Sequence, residues 1–265
     1  AIATGGSRTR LPKSKDPRFD QHNPSVLYHG MVAPLIPYAV KGAIWYQGES
    51  NQNSSHVYAE IMETLIEDWR HRWGVGDFPF LYVQIANYGK QYDTAAAAGK
   101  GMTLVRNAQL QNLSIPNTAM VVAIDNADHD NMGNIHPKNK QEIGHRLALA
   151  AEARAYGENV VYSGPVYDYN LIRGNEITIY FRDMGKESKL ISKGGALKGF
   201  AIAGTDQKFV KAKARIKGNT VVVSSAEIKE PVAVRYGWNA NPDVNLYNAA
   251  GLPASPFRTD NWSQK

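Results

Sequence analysis

The sequence predicts an α/β fold that is followed, near residue 158, by a β-rich C-terminal region. Two observations lead to this fold class. Between about residue 40 and residue 156, short apolar runs alternate with amphipathic helical segments, a pattern typical of a parallel sheet covered by helices. From about residue 160, short strands and turn signals follow one another without a helix. We therefore expect a core over residues 1–158 and a β-rich region over residues 159–265.

Three apolar runs are the predicted strands of the core. They are AIWYQ at 43–47, FLYVQIA at 80–86 and TAMVVAID at 118–125. Each is short and has apolar residues at successive positions, not only at every second one. This is expected of a strand that is buried on both faces.

Three segments with helical periodicity separate or follow these strands, at 54–74, 102–113 and 137–157. In the first, Ser54 or Ser55 is the predicted cap and Gly74 the predicted end. Its apolar residues fall on one face: Tyr58, Ile61, Met62, Leu65, Ile66, Trp69 and Trp73. In the last, Pro137 occupies a position favoured at the start of a helix, and Gly157 marks the end.

The second half of the chain is predicted to contain strands and no helix. The candidate runs are NEITIYFRD (175–183), LKGFAIAG (197–204), KFVKAKARIKGNTVVVSS (208–225) and PVAVRYGW (231–238). Gly218-Asn219 is the clearest turn signal among them. These strands predict a small sandwich.

Composition and charge exclude several classes of function. No apolar run approaches the roughly 18–20 residues that span a bilayer, so no membrane span is predicted. The net charge is +6, but the basic residues are scattered, which does not favour nucleic-acid binding. The chain has no cysteine, so thiol chemistry and disulfides are excluded.

Polar side chains follow each of the predicted core strands. Because ligands of open α/β sheets bind beyond the carboxyl ends of the strands, these loops are the candidate site. They are the QGESN segment at 47–51, the loop after Ala86 with Gln84 just inside the strand, and the segment 125–137. The last contains His136, the best candidate for a general base.

Acidic residues around His136 leave two alternatives open. Asp125, Asp128 and Asp130, with His129, suit a cation site, because carboxylates are the oxygen ligands that Ca²⁺ prefers. The twelve-residue calcium-loop pattern is absent, since no glutamate ends it. We therefore favour a catalytic histidine without a metal.

Acyl transfer needs a nucleophile, a base and donors for the oxyanion. Gln47 can supply a side-chain N–H, Gly48 permits close approach of the backbone, and His136 can be the base. A nucleophile is missing. Ser50 lies in GESN, which lacks the second glycine of the G-x-S-x-G elbow, and Ser7 has too few residues before it for a buried strand.

Three segments together resemble the sialate O-acetylesterase family of the SGNH hydrolase superfamily: 27–52 (with WYQGESN), 135–151 (with IHPKNK) and 234–262; VRNAQ at 105–109 also resembles this family. The resemblance implies a flavodoxin-like, three-layer α/β/α SGNH hydrolase core with a β-rich region. It implies a metal-free serine esterase that removes O-acetyl groups from sugars, chiefly sialic acids. The serine-bearing turn of the family precedes Leu27, and no such turn occurs here, so the core is expected to be incomplete at its N-terminal side.

The same resemblance assigns the site residues. His136 is the implied base and Gln47 the implied oxyanion donor, with Gly48 and Glu49 shaping their loop. Asn134 stands where the family usually has aspartate, so the acid that orients His136 is left open between Asn134 and the carboxylates of Asp130, Asp128 and Glu49. The candidate substrate contacts are Asn51, Gln84 and Arg106; for Gln84 and Arg106, a structural hydrogen bond or salt bridge is the alternative.

Our leading hypothesis is an esterase acting on O-acetylated sialic acid, whose serine comes from an upstream segment or a second chain. An acetyl esterase on plant polysaccharide (acetylxylan-type) is the alternative within enzymes. A non-catalytic sugar-binding remnant is the alternative outside them, with Tyr236, Trp238 and Trp262 as possible stacking residues. The expected partners are an O-acetylated sugar and an N-terminal fragment of the same protein, without cofactor or nucleic acid. The family implies an extracytoplasmic location.

Overall fold

The computed structural model describes residues 23–91, 101–128, 130–131, 133–185 and 188–262. The helices are α1 (Tyr58–Trp73), α2 (Met102–Gln111) and α3 (Lys140–Ala155), with π or 3₁₀ turns at Tyr28–Val32, Ala33–Leu35, Glu49–Val57 and Asn112–Ser114. The core strands are β1 (Ala43–Trp45), β2 (Phe80–Gln84) and β3 (Thr118–Val122). The later strands are β4 (Val166–Arg173), β5 (Glu176–Arg182), β6 (Leu190–Ser192), β7 (Phe200–Ala203), β8 (Val210–Lys211), β9 (Lys213–Lys217), β10 (Thr220–Ser224), β11 (Ala233–Tyr236), β12 (Leu246–Asn248) and β13 (Phe257–Arg258).

The three core strands form a parallel sheet in the order β1-β2-β3, which confirms the predicted strand–helix alternation. Successive residues of β2 face opposite sides. Phe80 and Tyr82 join the cluster packed with α1 and α2, whereas Leu81 and Val83 pack with α3. Helices therefore cover both faces of β2 and β3, which explains why these strands are continuous apolar runs, whereas β1 is only partly covered and Ile44 is exposed.

The start of α1 differs from the prediction. Neither Ser54 nor Ser55 caps it, because the chain is already helical as a 3₁₀ segment up to Val57, and Val57 makes no capping side-chain bond. A capping side chain needs an extended backbone before the helix, and that is lacking here. The end at Gly74 is confirmed, with φ of 63° in the left-handed region.

The start of α3 was also predicted too early. Pro137 lies in the loop, and the helix begins at Lys140 after Asn139, whose side chain accepts a hydrogen bond from the Glu142 amide at 3.2 Å. Asparagine with glutamate three residues later is a strong start signal, and it prevails over the proline. His136 consequently lies in an irregular loop before the helix.

The C-terminal region contains two four-stranded antiparallel sheets, ordered β4-β5-β10-β9 and β13-β11-β7-β8, and the pair β12-β6. One apolar cluster joins the two larger sheets, for example through Ile177 and Val221 of the first and Ile202 and Val234 of the second. The hairpin predicted at Gly218-Asn219 connects β9 with β10.

Two aromatic residues considered for sugar stacking lie inside this cluster or beside it. Tyr236 is fully buried and Trp238 is 1% exposed, so of the two alternatives for these rings, stacking on a sugar or interior packing, the structure shows interior packing. Separately, no helix among the described residues is both long and apolar enough to cross a membrane.

Candidate active site

The loops after β1, β2 and β3 meet the C-terminal segment at the carboxyl edge of the core sheet. Asn87 follows β2, and its side chain donates to Asn241 Oδ1 at 2.8 Å and accepts from the Ala127 amide at 2.9 Å. Asn241 in turn donates to the Gly89 carbonyl. The second and third loops are thereby fixed to each other and to residues beyond 239.

Gln47 lies two residues after the end of β1, and hydrogen bonds hold its side chain in one orientation. Its Nε2 donates to Asn51 Oδ1 at 2.6 Å. The Tyr58 hydroxyl lies 2.9 Å from the Gln47 backbone carbonyl and 3.2 Å from Gln47 Oε1. Because a primary amide has two N–H groups, this arrangement orients the amide and leaves one N–H for an oxyanion. Asn51, expected to touch substrate, instead positions Gln47.

Gly48 is buried where the loop crosses the sheet. Its φ is +153°, and a Cβ there would come within 3.0 Å of both Ile85 and Val105 side chains. Beneath it, Gln109 Nε2 donates to the carbonyls of Gln47 and Val83 at 3.1 Å each. The loop therefore has close backbone packing that only glycine permits.

Glu49 begins the 3₁₀ segment Glu49–Val57 and is half-buried. Burial raises the pKa of the neighbouring Tyr46 to about 12, and the Glu49 charge adds to this increase. Ser50, the next residue, is exposed within the same 3₁₀ segment and does not occupy a strand-to-helix elbow.

Gln84 and Arg106, expected as substrate contacts, lie beneath the site. Arg106 is 1% exposed and donates to four backbone carbonyls, those of Ile85, Ala86, Asn239 and Ala240, at 2.6–2.9 Å. Burial lowers the pKa of Arg106 to about 9. Gln84 is fully buried, and its Nε2 donates to the Arg106 carbonyl at 3.1 Å and to Ser255 Oγ at 2.9 Å. These contacts favour positioning of the loops over contact with substrate.

His136 is exposed, and no described side chain lies within hydrogen-bond distance of its imidazole. Asn134 holds the backbone on both sides of it: Oδ1 accepts from the His136 amide at 3.0 Å, and Nδ2 donates to the His136 carbonyl at 2.9 Å. Asn134 thus fixes the loop backbone, although it was one of the candidates for orienting the ring.

The carboxylates of this loop have separate partners. Asp125 binds Arg146 at 2.8 and 3.0 Å and accepts from the Tyr247 hydroxyl at 2.9 Å. Asp128 is buried; its Oδ2 lies 3.2 Å from Lys138 Nζ without a hydrogen bond. Asp130 is exposed, and its amide donates to Asp128 Oδ1 at 3.3 Å. Among the described residues, no group of three or more such side chains converges as metal ligands. His129 lies outside those residues.

Comparison with known families identifies the chain. A family described as "SASA: Carbohydrate esterase, sialic acid-specific acetylesterase" matches residues 2–153, more than half of the sequence. The chain belongs to this esterase family. The matched range contains both loops of the candidate acetylesterase site, those of Gln47 and His136.

Named relatives of this acetylesterase-family chain agree. Sialate O-acetylesterase from Mus musculus is 32% identical in an alignment 260 positions long, which covers 88% of this chain and 47% of the mouse protein. That from Pongo abelii is 40% identical in an alignment 262 positions long, which covers 88% of this chain and 48% of the relative. The predicted class, a carboxylic ester hydrolase, is confirmed for the family. The chain spans about half the length of these relatives.

A solved structure matches the fold of this family member. The carbohydrate acetylesterase from Xanthomonas citri superposes with a TM-score of 0.83 at 43% identity. The match covers 90% of this chain and 55% of the other. It includes most of the β-rich region, which the family match at 2–153 does not reach.

Several residues of the candidate site were missed from the sequence. Tyr58 was assigned only to a helix face, and Arg146 and Tyr247 were assigned no role. Arg146 has one local signal, Glu142 one turn earlier, with which it forms an ion pair at 2.9 Å. The contact of Tyr247 with Asp125 joins residues 122 positions apart, and no local pattern indicates it.

Replacement of Gly48 by alanine is expected to destabilise the fold by about 2–4 kcal/mol, since an unfavourable φ and two close side-chain contacts add together. Urea denaturation measures the change. Gly174→Ala is the control: Gly174 also has positive φ, at 58°, but a Cβ there meets nothing within 4 Å. Equal losses in the two variants would contradict the close packing inferred for Gly48.

Proposed function

We propose that this chain forms part of a serine-type carbohydrate esterase that removes O-acetyl groups from sialic acids. One observation carries the proposal: the side-chain amide of Gln47 is held by Asn51 and Tyr58 at the carboxyl edge of a parallel sheet, in a member of the acetylesterase family. An amide fixed before the reaction is the kind of donor that stabilises an oxyanion without reorganisation.

The nucleophilic serine, in this proposal, comes from a segment upstream of these residues or from a second chain. Among the described residues β1 pairs only with β2, and Ile44 of β1 is 67% exposed. An apolar cavity of about 210 Å³ lies beside Gln47 and Asn51, lined also by Trp45 and Tyr58. A further strand placed on β1 would complete a flavodoxin-like three-layer SGNH core and end beside Gln47.

The proposed mechanism is acyl transfer in two steps. The serine oxygen attacks the acetyl carbonyl while His136 takes the hydroxyl proton, and Gln47 donates to the oxyanion. His136 returns the proton to the sugar oxygen, which leaves as the alcohol. Water, deprotonated by His136, then attacks the acetyl carbon. The serine oxygen leaves and takes the proton back from His136, and acetate is released.

We propose that Asp128 becomes the acid that orients His136 when the site is complete, since no described side chain hydrogen-bonds the imidazole here. Its carboxylate is buried, which strengthens a charge interaction with an imidazolium, and its present partners are the exposed ammonium of Lys138, 3.2 Å from Oδ2, and the Asp130 amide. Asp130 is exposed and would be screened by solvent. Both polar atoms of the Asn134 side chain form hydrogen bonds with the His136 backbone. The family resemblance is also the basis for proposing an extracytoplasmic location.

The test is release of acetate by the protein that includes the upstream segment. Mass spectrometry of the purified protein first establishes whether a fragment with a Gly-Gln-Ser turn accompanies the chain. We expect hydrolysis of O-acetylated sialic acid to exceed that of acetylated xylan. A preference for acetylated xylan would identify xylan, and not sialic acid, as the substrate. Release of no acetate from either substrate would indicate a non-catalytic remnant.

A further inference from the structure

The outer face of the sheet β4-β5-β10-β9 lies opposite the apolar cluster that its inner face shares with the second sheet. We call it the basic face and define it by Tyr169, Arg173, Glu176, Tyr180, Arg215 and Lys217. The strand register places these side chains in rows. Tyr180 is opposite Thr220, which is opposite Lys217, and Thr178 is opposite Val222, which is opposite Arg215.

This face contains a shallow depression. It encloses about 240 Å³ and is lined by Arg173, Glu176, Tyr180, Arg215 and Lys217, together with apolar and threonine side chains of the same strands. Ligand pockets for drug-sized molecules enclose about 300–1,000 Å³, so this one suits a smaller group, on the order of one ring.

The charge of the depression is positive. Arg215 forms a two-point ion pair with Glu176, at 2.8 and 3.0 Å, and these two charges offset each other. Arg173 and Lys217 also line it, and neither forms an ion pair with any described residue. Arg173 and Lys217 lie beside the Arg215 guanidinium, which Glu176 holds in place. These two cations are suited to a carboxylate of a ligand.

An aromatic surface borders the same depression. The rings of Tyr169 and Tyr180 are stacked, with centroids 4.4 Å apart and planes 7° from parallel. Tyr169 is 48% exposed, so one side of this pair faces solvent. A tyrosine ring offers an apolar face on which the C–H face of a sugar can pack, with a hydroxyl at its wet end.

We propose that the basic face is a non-catalytic binding site for a carboxylated glycan, whose sugar ring packs on the tyrosine pair and whose carboxylate binds Arg173 and Lys217. The two cations without an ion-pair partner suit one or two carboxylates, whereas affinity for a nucleic acid grows with the number of phosphates neutralised, and two cations neutralise few. The proposal goes beyond the esterase activity and does not depend on it.

The test compares sialyllactose with lactose, which lacks the carboxylated sugar. Heteronuclear NMR on the full chain should show sialyllactose shifting amides within 173–180 and 215–222, with lactose leaving them unchanged. In the double variant Arg173→Gln/Lys217→Gln, we expect the affinity for sialyllactose, measured from the shifts of these amides, to decrease at least tenfold. In Tyr180→Ser, we expect it to decrease severalfold. The matched control is Lys208→Gln/Lys229→Gln, which removes two exposed cations elsewhere.

Acetate release should be the same in all these variants, which separates this site from the esterase site. Equal binding of sialyllactose and lactose would overturn the proposal, as would no shift at these amides, or unchanged affinity in the double variant. Shifts produced by a single-stranded oligonucleotide but not by sialyllactose would assign the face to nucleic acid and also overturn it.

Discussion

Replacing His136 with alanine, in protein that carries the proposed serine-bearing segment, is expected to lower kcat for acetate release by about 10⁴- to 10⁶-fold with little change in KM. The reason is that serine, base and oxyanion donor act as one unit, so loss of the base removes most of what they achieve together. The measurement is steady-state release of acetate from O-acetylated sialic acid.

His145→Ala is the matched control for this experiment. His145 is exposed like His136 but lies on α3, where it contacts no proposed site residue. We expect it to retain wild-type kinetics. Activity of His136→Ala within tenfold of wild type would remove His136 from the mechanism. Because His136 is exposed, its variant should unfold at the same urea concentration as wild type, so lost activity would not reflect lost folding.

Replacing Arg106 with methionine is expected to reduce the free energy of unfolding by about 4 kcal/mol or more. Methionine conserves much of the volume but leaves the carbonyls of Ile85, Ala86, Asn239 and Ala240 without their donor. Each buried polar group left unsatisfied costs about 1–3 kcal/mol, and part of this is recovered by relaxation and water. Urea denaturation followed by circular dichroism gives the value.

Two further variants make the Arg106 result interpretable. Arg72→Met removes an exposed arginine that pairs with Asp68 on α1, and it should unfold at nearly the same urea concentration as wild type, because solvent screens such exposed pairs. Arg106→Lys supplies three donors in place of five, so we expect an intermediate loss and a folded protein. If Arg106→Met and Arg72→Met unfold at the same urea concentration, the network around Arg106 contributes little to stability.

The core of the fold could be predicted because its signals are local. Apolar runs such as that of β2 have both faces buried, and the spacing of Tyr58, Met62 and Ile66 places them on one side of α1. The starts of α1 and α3 were wrong because a 3₁₀ segment and the Asn139 cap compete with the serine and proline signals. Local hydrogen bonds decide which of these signals sets the start of the helix, and the spacing of apolar residues carries no information about those bonds.

The candidate site was predicted less completely than the sheet. Gln47 and His136 could be proposed because each follows a core strand in a polar loop, and their roles stay predictions. The buried positions of Gln84 and Arg106 could not be predicted, since they depend on contacts with Ser255 and with the carbonyls of residues 239 and 240. Contacts across more than a hundred residues have no counterpart in a local pattern.

The segment that follows Trp238 makes the two regions of the chain mutually dependent. Asn241 binds Asn87, Tyr247 binds Asp125, and Ser255 binds Gln84. Cutting the chain near residue 158 would therefore strip donors and acceptors from all these core positions at once. The boundary visible in the sequence is thus unsuitable for dissecting this protein, and a shortened version that keeps the esterase loops must also keep residues 239–256.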